Sequence, residues 1–130
     1  MSIIIKDTKI LDSITANTNS GAIDVEDFET VVLSIITTGT VLATVKVKGS
    51  IAATAPNYAS ASSLLNPYSY IGIKDYNTGS IVTGSTGITI STASVVLVEL
   101  NVNGLTNIGV EVSGMTGGTV SVFATRFKRN

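Results

Sequence analysis

The chain has 130 residues, of which 44% are hydrophobic and only 13% charged, with a net charge of -1 and a mean hydropathy of +0.45. That length is one domain, and the near-zero charge gives no global pull toward nucleic acid or an anionic membrane surface. Cys, His and Trp are absent, which removes disulfides, thiolate and imidazole metal ligands, Cys nucleophiles and His-based triads.

No run approaches the roughly 18 apolar residues of a membrane-spanning helix, so no membrane partner is expected. The opening "MSIIIKDTKILDS" places Lys6, Asp7 and Lys9 directly after a short apolar run. A secretory leader has its positive charge first and a longer apolar core, so synthesis without a signal peptide is expected. Sparse charge leaves Ser, Thr, Asn and Gly to cover the surface. Either the chain is a bland Thr-rich β protein, or part of its surface is buried against copies of itself or a larger wall. The second reading is preferred.

In chain order, residues 1–20 hold "SIII" and "KILDSI" before the polar "TANTNSG", and read as an edge strand or an arm reaching a neighbouring subunit. Residues 21–130 read as a single β-sandwich domain. "DVEDFE" groups Asp24, Glu26, Asp27 and Glu29; such oxygens could serve a hard cation, but the spacing fits a solvated turn better, with Phe28 as a core plug. "TVVLSII" at 30–36 and "SVVLVELNV" are almost continuously apolar, as central or doubly covered strands are. "VLATVKVK" at 41–48 alternates, with Val41, Ala43, Val45 and Val47 inward and Leu42, Thr44, Lys46 and Lys48 outward. "NIGVEV" does the same, with Ile108, Val110 and Val112 inward and Gly109 and Glu111 outward.

Residues 50–68, "SIAATAPNYASASSLLNPY", form a long, uncharged, small-residue loop holding both prolines; such a loop is functional or packed against something. Its "SASSLLN" could make one helical turn, capped by Ser60 or Ser62. "TTGT" at 37–40, Asn103-Gly104 and "GMTGG" at 114–118 read as hairpin loops, the Asn-Gly pair as a type I′ turn. About eight to ten short strands result, the number of an all-β, antiparallel two-sheet sandwich or jelly roll.

No constellation supports catalysis: hydroxyls are plentiful but no base is spaced to activate them, and no phosphate-cradling glycine motif occurs. An enzyme is not expected, nor any cofactor or metal. Tyr58, Tyr68, Tyr70 and Tyr76 cluster in the middle third and read as interface or core before glycan platform. "RFKRN" gathers Arg126, Lys128 and Arg129 around Phe127, as a charged tail of an edge strand or a contact with an acidic partner surface.

The runs "SGAIDVEDFETVVLSIITTGTVLATVKVKGS" and "ELNVNGLTNIGVEVSGMTGGTVSVFATR" resemble a small β-sandwich domain of tailed-bacteriophage virion proteins. The similarity rests on Ile23, Asp24, Val25, Phe28, Thr30, Val31 and Leu33 early. Later it rests on Gly104, Leu105, Ile108, Val110, Val112, Gly118, Thr119, Val120 and Val122. After Gly49-Ser50 many members continue with an acidic residue and a Trp; here "IAATAPNY" follows, which leaves the subtype open. The resemblance implies a non-enzymatic virion component, commonly a capsid decoration (cement) protein. Such a protein is made in the host cytoplasm and sits on the outer head surface as a homotrimer against the major capsid protein. A tail, baseplate or fibre module binding host glycan is the alternative. The expected capsid or subunit contacts are Ile3, Ile4, Ile5, Tyr58, Leu64, Leu65, Tyr68, Arg126, Lys128 and Arg129.

Overall fold

The computed structural model describes the backbone of residues 2–129 and the side chains of residues 7–128. Twelve strands form, with no helix among the described residues. They are β1 Ser2–Ile14, β2 Thr18–Asn19, β3 Ile23–Asp24, β4 Thr30–Thr38, β5 Leu42–Ser50 and β6 Ser69–Ile71. The remainder are β7 Ile73–Asp75, β8 Ile81–Val82, β9 Ile88–Ile90, β10 Val95–Asn101, β11 Asn107–Thr116 and β12 Thr119–Arg129. One sheet runs β1-β12-β4-β10-β7-β8; the other runs β2-β11-β5-β6, with β3 also on β11 and β9 also on β5. Every pairing is antiparallel.

The wiring is that of a jelly roll. From β3 the chain crosses to the opposite sheet at β4, recrosses at β5, and after β9 crosses again at β10, β11 and β12. The count exceeds the expected eight to ten because two frame strands are broken. β2 and β3 share the edge of β11, β6 and β9 share the edge of β5, and the β7–β8 hairpin is added outside β10.

The crossings correct the hairpin expectations. Asn103-Gly104 joins strands of different sheets, and so do 37–40 and 114–118. Leu105 N–H donates to Val102 C=O at 2.9 Å. Only Gly104 in that turn has positive φ, +93°, which is a type II turn rather than type I′. A type I′ turn matches the twist of two strands in one sheet, whereas this turn must carry the chain across the gap between layers. The 37–40 and 114–118 crossings lie side by side, with the Thr38 and Thr119 hydroxyls hydrogen-bonded.

Alternation then explains the core. In β4, Val31, Leu33 and Ile35 point between the sheets; Val45 and Val47 of β5, Val98 and Leu100 of β10, Ile108, Val110 and Val112 of β11, and Val120 and Val122 of β12 meet them, all buried. The interior is aliphatic; Phe28 packs at its margin, its ring 5.2 Å from the Arg126 guanidinium. β4 is central, as its composition suggests. β10 is flanked by β4 and the short β7, and its outward Val95 is 63% exposed.

Candidate interaction surface

The outer face of the β2-β11-β5-β6 sheet is where the loop 50–68 lies. The register places Gly109, Lys48 and Tyr70 in one row across β11, β5 and β6. Alternation sends all three outward, yet Lys48 is 3% exposed and Gly109 is buried, so the expectation of a solvated outer face fails there. The cause is Tyr58. Its ring lies flat on Gly109, where a Cβ would come within 2.5 Å of Cδ2. Its hydroxyl donates to the Asn107 side-chain carbonyl. Burial raises its phenol pKa to about 12.

Lys48 holds the loop from below. Its Nζ donates to Tyr58 C=O at 2.7 Å and Asn19 Oδ1 at 2.9 Å, and pairs with Glu111 Oε1 at 3.0 Å. An ammonium has three donors and all three are engaged. The Tyr68 and Tyr70 rings lie 5.0 and 5.5 Å from the same nitrogen. Tyr70 OH donates to Glu111 Oε1 at 3.0 Å; burial, then that carboxylate, raises its pKa. Tyr58, Tyr68 and Tyr70 stack edge to face in sequence, with centroids 5.4 and 6.5 Å apart. Chemically the cluster is a clamp: Lys48 and the Tyr58 and Tyr68 hydroxyls tie the loop down, while Glu111 Oε1 receives both Lys48 and Tyr70.

Above the clamp the loop ends in a tight turn. Ser63 and Asn66 form an isolated antiparallel bridge, their amides and carbonyls paired both ways at 3.1 and 3.2 Å. This replaces the helical turn expected over "SASSLLN". Asn66 decides it, because its side chain accepts from Asn57 N–H at 2.7 Å and donates to Asn57 C=O and Ala61 C=O at 2.9 and 3.1 Å. Tyr68 adds a bond from its hydroxyl to Ser60 C=O and exchanges hydrogen bonds with the Ser62 hydroxyl.

The two central residues of this turn, Leu64 and Leu65, are each 98% exposed. Fully burying a leucine side chain is worth about 1.5–3 kcal/mol, so holding two of them in water on a fixed turn forgoes a large stabilisation. Beside the turn is an apolar cleft of about 400 Å³ lined by Gly49, Ile51, Leu64, Pro67, Ile71 and Leu105. Ile51 is 76% exposed at its rim.

The other sequence-expected contacts are scattered. Tyr58 is buried and Tyr68 half-buried within the clamp. Arg126 is buried at one end of the sandwich, donating to Asp24 C=O at 2.6 Å and Thr8 Oγ1 at 2.8 Å, with Nε unpartnered. Its strand β12 lies between β1 and β4, so the tail reading, which made it an edge, is corrected: β1 is the edge. Lys128 is exposed there. The side chains of Ile3, Ile4, Ile5 and Arg129 lie outside the described residues. Among the described residues no group of three or more acidic side chains is placed to hold a metal ion.

A second depression, about 630 Å³, runs beside the β7–β8 turn and is lined by Asp75, Tyr76, Asn77, Thr89, Thr92 and Leu97 among others. Tyr76 is the one tyrosine outside the clamp. Burial, then Glu99, raises its pKa.

No family model and no curated protein matches the sequence. Among solved structures, the chain is similar to the crystal structure of the SPBc2 prophage-derived protein YomS. The TM-score is 0.71 at 11% sequence identity, covering 98% of this chain and 96% of that one. At that identity the likeness is one of fold: this chain folds as a whole as a prophage-derived protein does.

Proposed function

We propose that the chain is a non-enzymatic bacteriophage structural protein that decorates the outer head surface as a homotrimer, cementing the major capsid protein lattice. One observation carries this reading: a hydrogen-bonded clamp spends a buried Lys–Glu pair and three tyrosines on presenting two leucines to solvent. A preorganised apolar anchor loses little entropy on binding, so such a turn is built for contact rather than turnover. The prophage origin of a protein sharing the whole fold supports the phage setting.

A cement protein acts by linkage. Binding the assembled lattice and not its separated subunits adds free energy to the assembly, about 2.7 kcal/mol per site at a hundredfold excess over Kd. The test uses purified heads lacking the protein. Adding it back should give saturable binding and raise the disruption temperature; heads that neither bind it nor gain stability refute the reading. The alternative is a tail, baseplate or fibre module that reads host glycan, favoured by the hydroxyl-lined groove around Tyr76. It predicts binding to host surfaces or sugar arrays that is lost on Tyr76→Ala.

A further inference from the structure

We infer that the Leu64–Leu65 turn docks onto a second copy of this chain, inserting into the apolar cleft between Ile51, Ile71 and Leu105 of that copy. This deepens the proposed function and rests on its self-association part: it assigns the turn to the contact between copies rather than to the wall.

Three features of this face select a second copy. First, knob and hole occur on one face, since Leu64 itself forms part of the cleft wall. A protruding apolar turn beside a matching recess lets each copy be donor and acceptor. Their closeness favours a closed dimer or small ring over an open filament, which separated patches would produce.

Second, residues 49–73 contain no Asp, Glu, Lys or Arg. A patch meeting its own duplicate brings every unpaired charge against its like, so a self-contact is best built without charge. Of the neighbouring ions on β5 and β11, Lys48 and Glu111 are paired with each other at 3.0 Å, and Lys46 lies 5.3 Å from the Tyr70 ring. An unrelated charged partner would instead be met with complementary charge at the rim. None is supplied by this segment.

Third, the turn is fixed before it binds. Asn66 and Asn57 are bonded to each other through side chain and backbone, and Tyr68 is tied to Ser60 and Ser62. The cleft floor is equally fixed: at Gly49 a Cβ would come within 2.9 Å of Leu105 Cδ1 and 3.1 Å of Ile71 Cγ2, so these side chains rest directly on β5. Rigid knob and rigid hole make a specific contact rather than a sticky surface.

The experiment reads oligomeric mass in the absence of heads, with binding to purified heads as a separate arm. Wild type is expected as an oligomer at micromolar concentration. Leu64→Asp combined with Leu65→Asp should fall to the single-chain mass of 13.4 kDa with an unchanged β-sheet circular dichroism spectrum, because both side chains are 98% exposed within their own chain, and its melting temperature should lose only the concentration-dependent part that association adds. Since the chain has no cysteine, single-cysteine variants give a second, fold-independent reading. Leu64→Cys mixed with Ile51→Cys should oxidise to a covalent pair containing one of each, several-fold above either variant alone. A double-Asp variant that keeps the wild-type mass, or no mixed disulfide, overturns the assignment while leaving self-association through another face intact. A monomeric wild type overturns both the assignment and the oligomer. A double-Asp variant that stays oligomeric but no longer binds heads assigns the turn to the wall instead.

Discussion

Gly109 shows how one missing side chain shapes a surface. With any Cβ the Tyr58 ring could not lie on β11, and the loop above it would have to lift. Gly109→Ala should therefore cost about 1–3 kcal/mol, read as a lower melting temperature. It should also speed proteolysis between residues 50 and 68 while the core strands stay protected. Lys48 is the complementary case. Lys48→Met leaves Glu111 without its cation in a mostly enclosed site, a loss of roughly 3 kcal/mol. Adding Glu111→Leu should recover much of that, in a double-mutant cycle followed by chemical denaturation. The Tyr58 phenol supplies a pH readout. Its ordinary pKa is 10 and its folded value about 12, so above pH 10 the unfolded chain loses a proton that the folded chain keeps. The stability is fully present below pH 10 and is lost as pH rises through 12. In an alkaline titration followed by phenolate absorbance, Tyr58 should ionise last, as the loop releases.

At the scale of elements, alternation carried most of the information. The inward faces of 41–48 and 107–112 were legible because Val, Ile and Ala recur at every second position, and the central place of β4 followed from its almost continuously apolar run. The turns misled for a physical reason. Gly and Asn report positive φ or a tight reversal, not whether the next strand joins the same sheet or the opposite one. The covered outer face was hidden because Lys48 and Glu111 look like solvent-facing charges when read by period alone. Gly109 was the available clue, since an isolated glycine inside a β-branched strand marks close approach by something else. Leu64 and Leu65 were among the contacts expected from the resemblance, yet their presentation depends on Asn66, whose role only the turn reveals. Asn66→Ala should leave the unfolding free energy of the sandwich within about 1 kcal/mol of wild type. It should raise hydrogen exchange across 57–68, and weaken whatever contact the leucines make. The crossing turns are less forgiving. A Cβ on Gly117, at φ +64°, would lie 2.1 Å from Thr40 C=O, so Gly117→Ala should be among the most destabilising single changes outside the core.

At the scale of the whole molecule, the proposed self-association would be driven by apolar burial, since residues 49–73 carry no charge. Raising sodium chloride to molar levels should leave the oligomer mass unchanged and sulfate should strengthen it, as sedimentation can check. An ionic interface would weaken instead. The jelly-roll order has a further consequence. β12 sits between β1 and β4, bonded along most of its length to both, so a strand late in the sequence completes a sheet whose first strand comes more than 100 residues earlier. On the ribosome, the nascent polypeptide would carry unclosed edges until β12 emerges from the exit tunnel. Closure of the sheet is thus expected to be slow, in keeping with distant pairings. A version stopped at Thr116 should remain sensitive to protease, and its rescue by a separately supplied 117–130 peptide would time the closure directly.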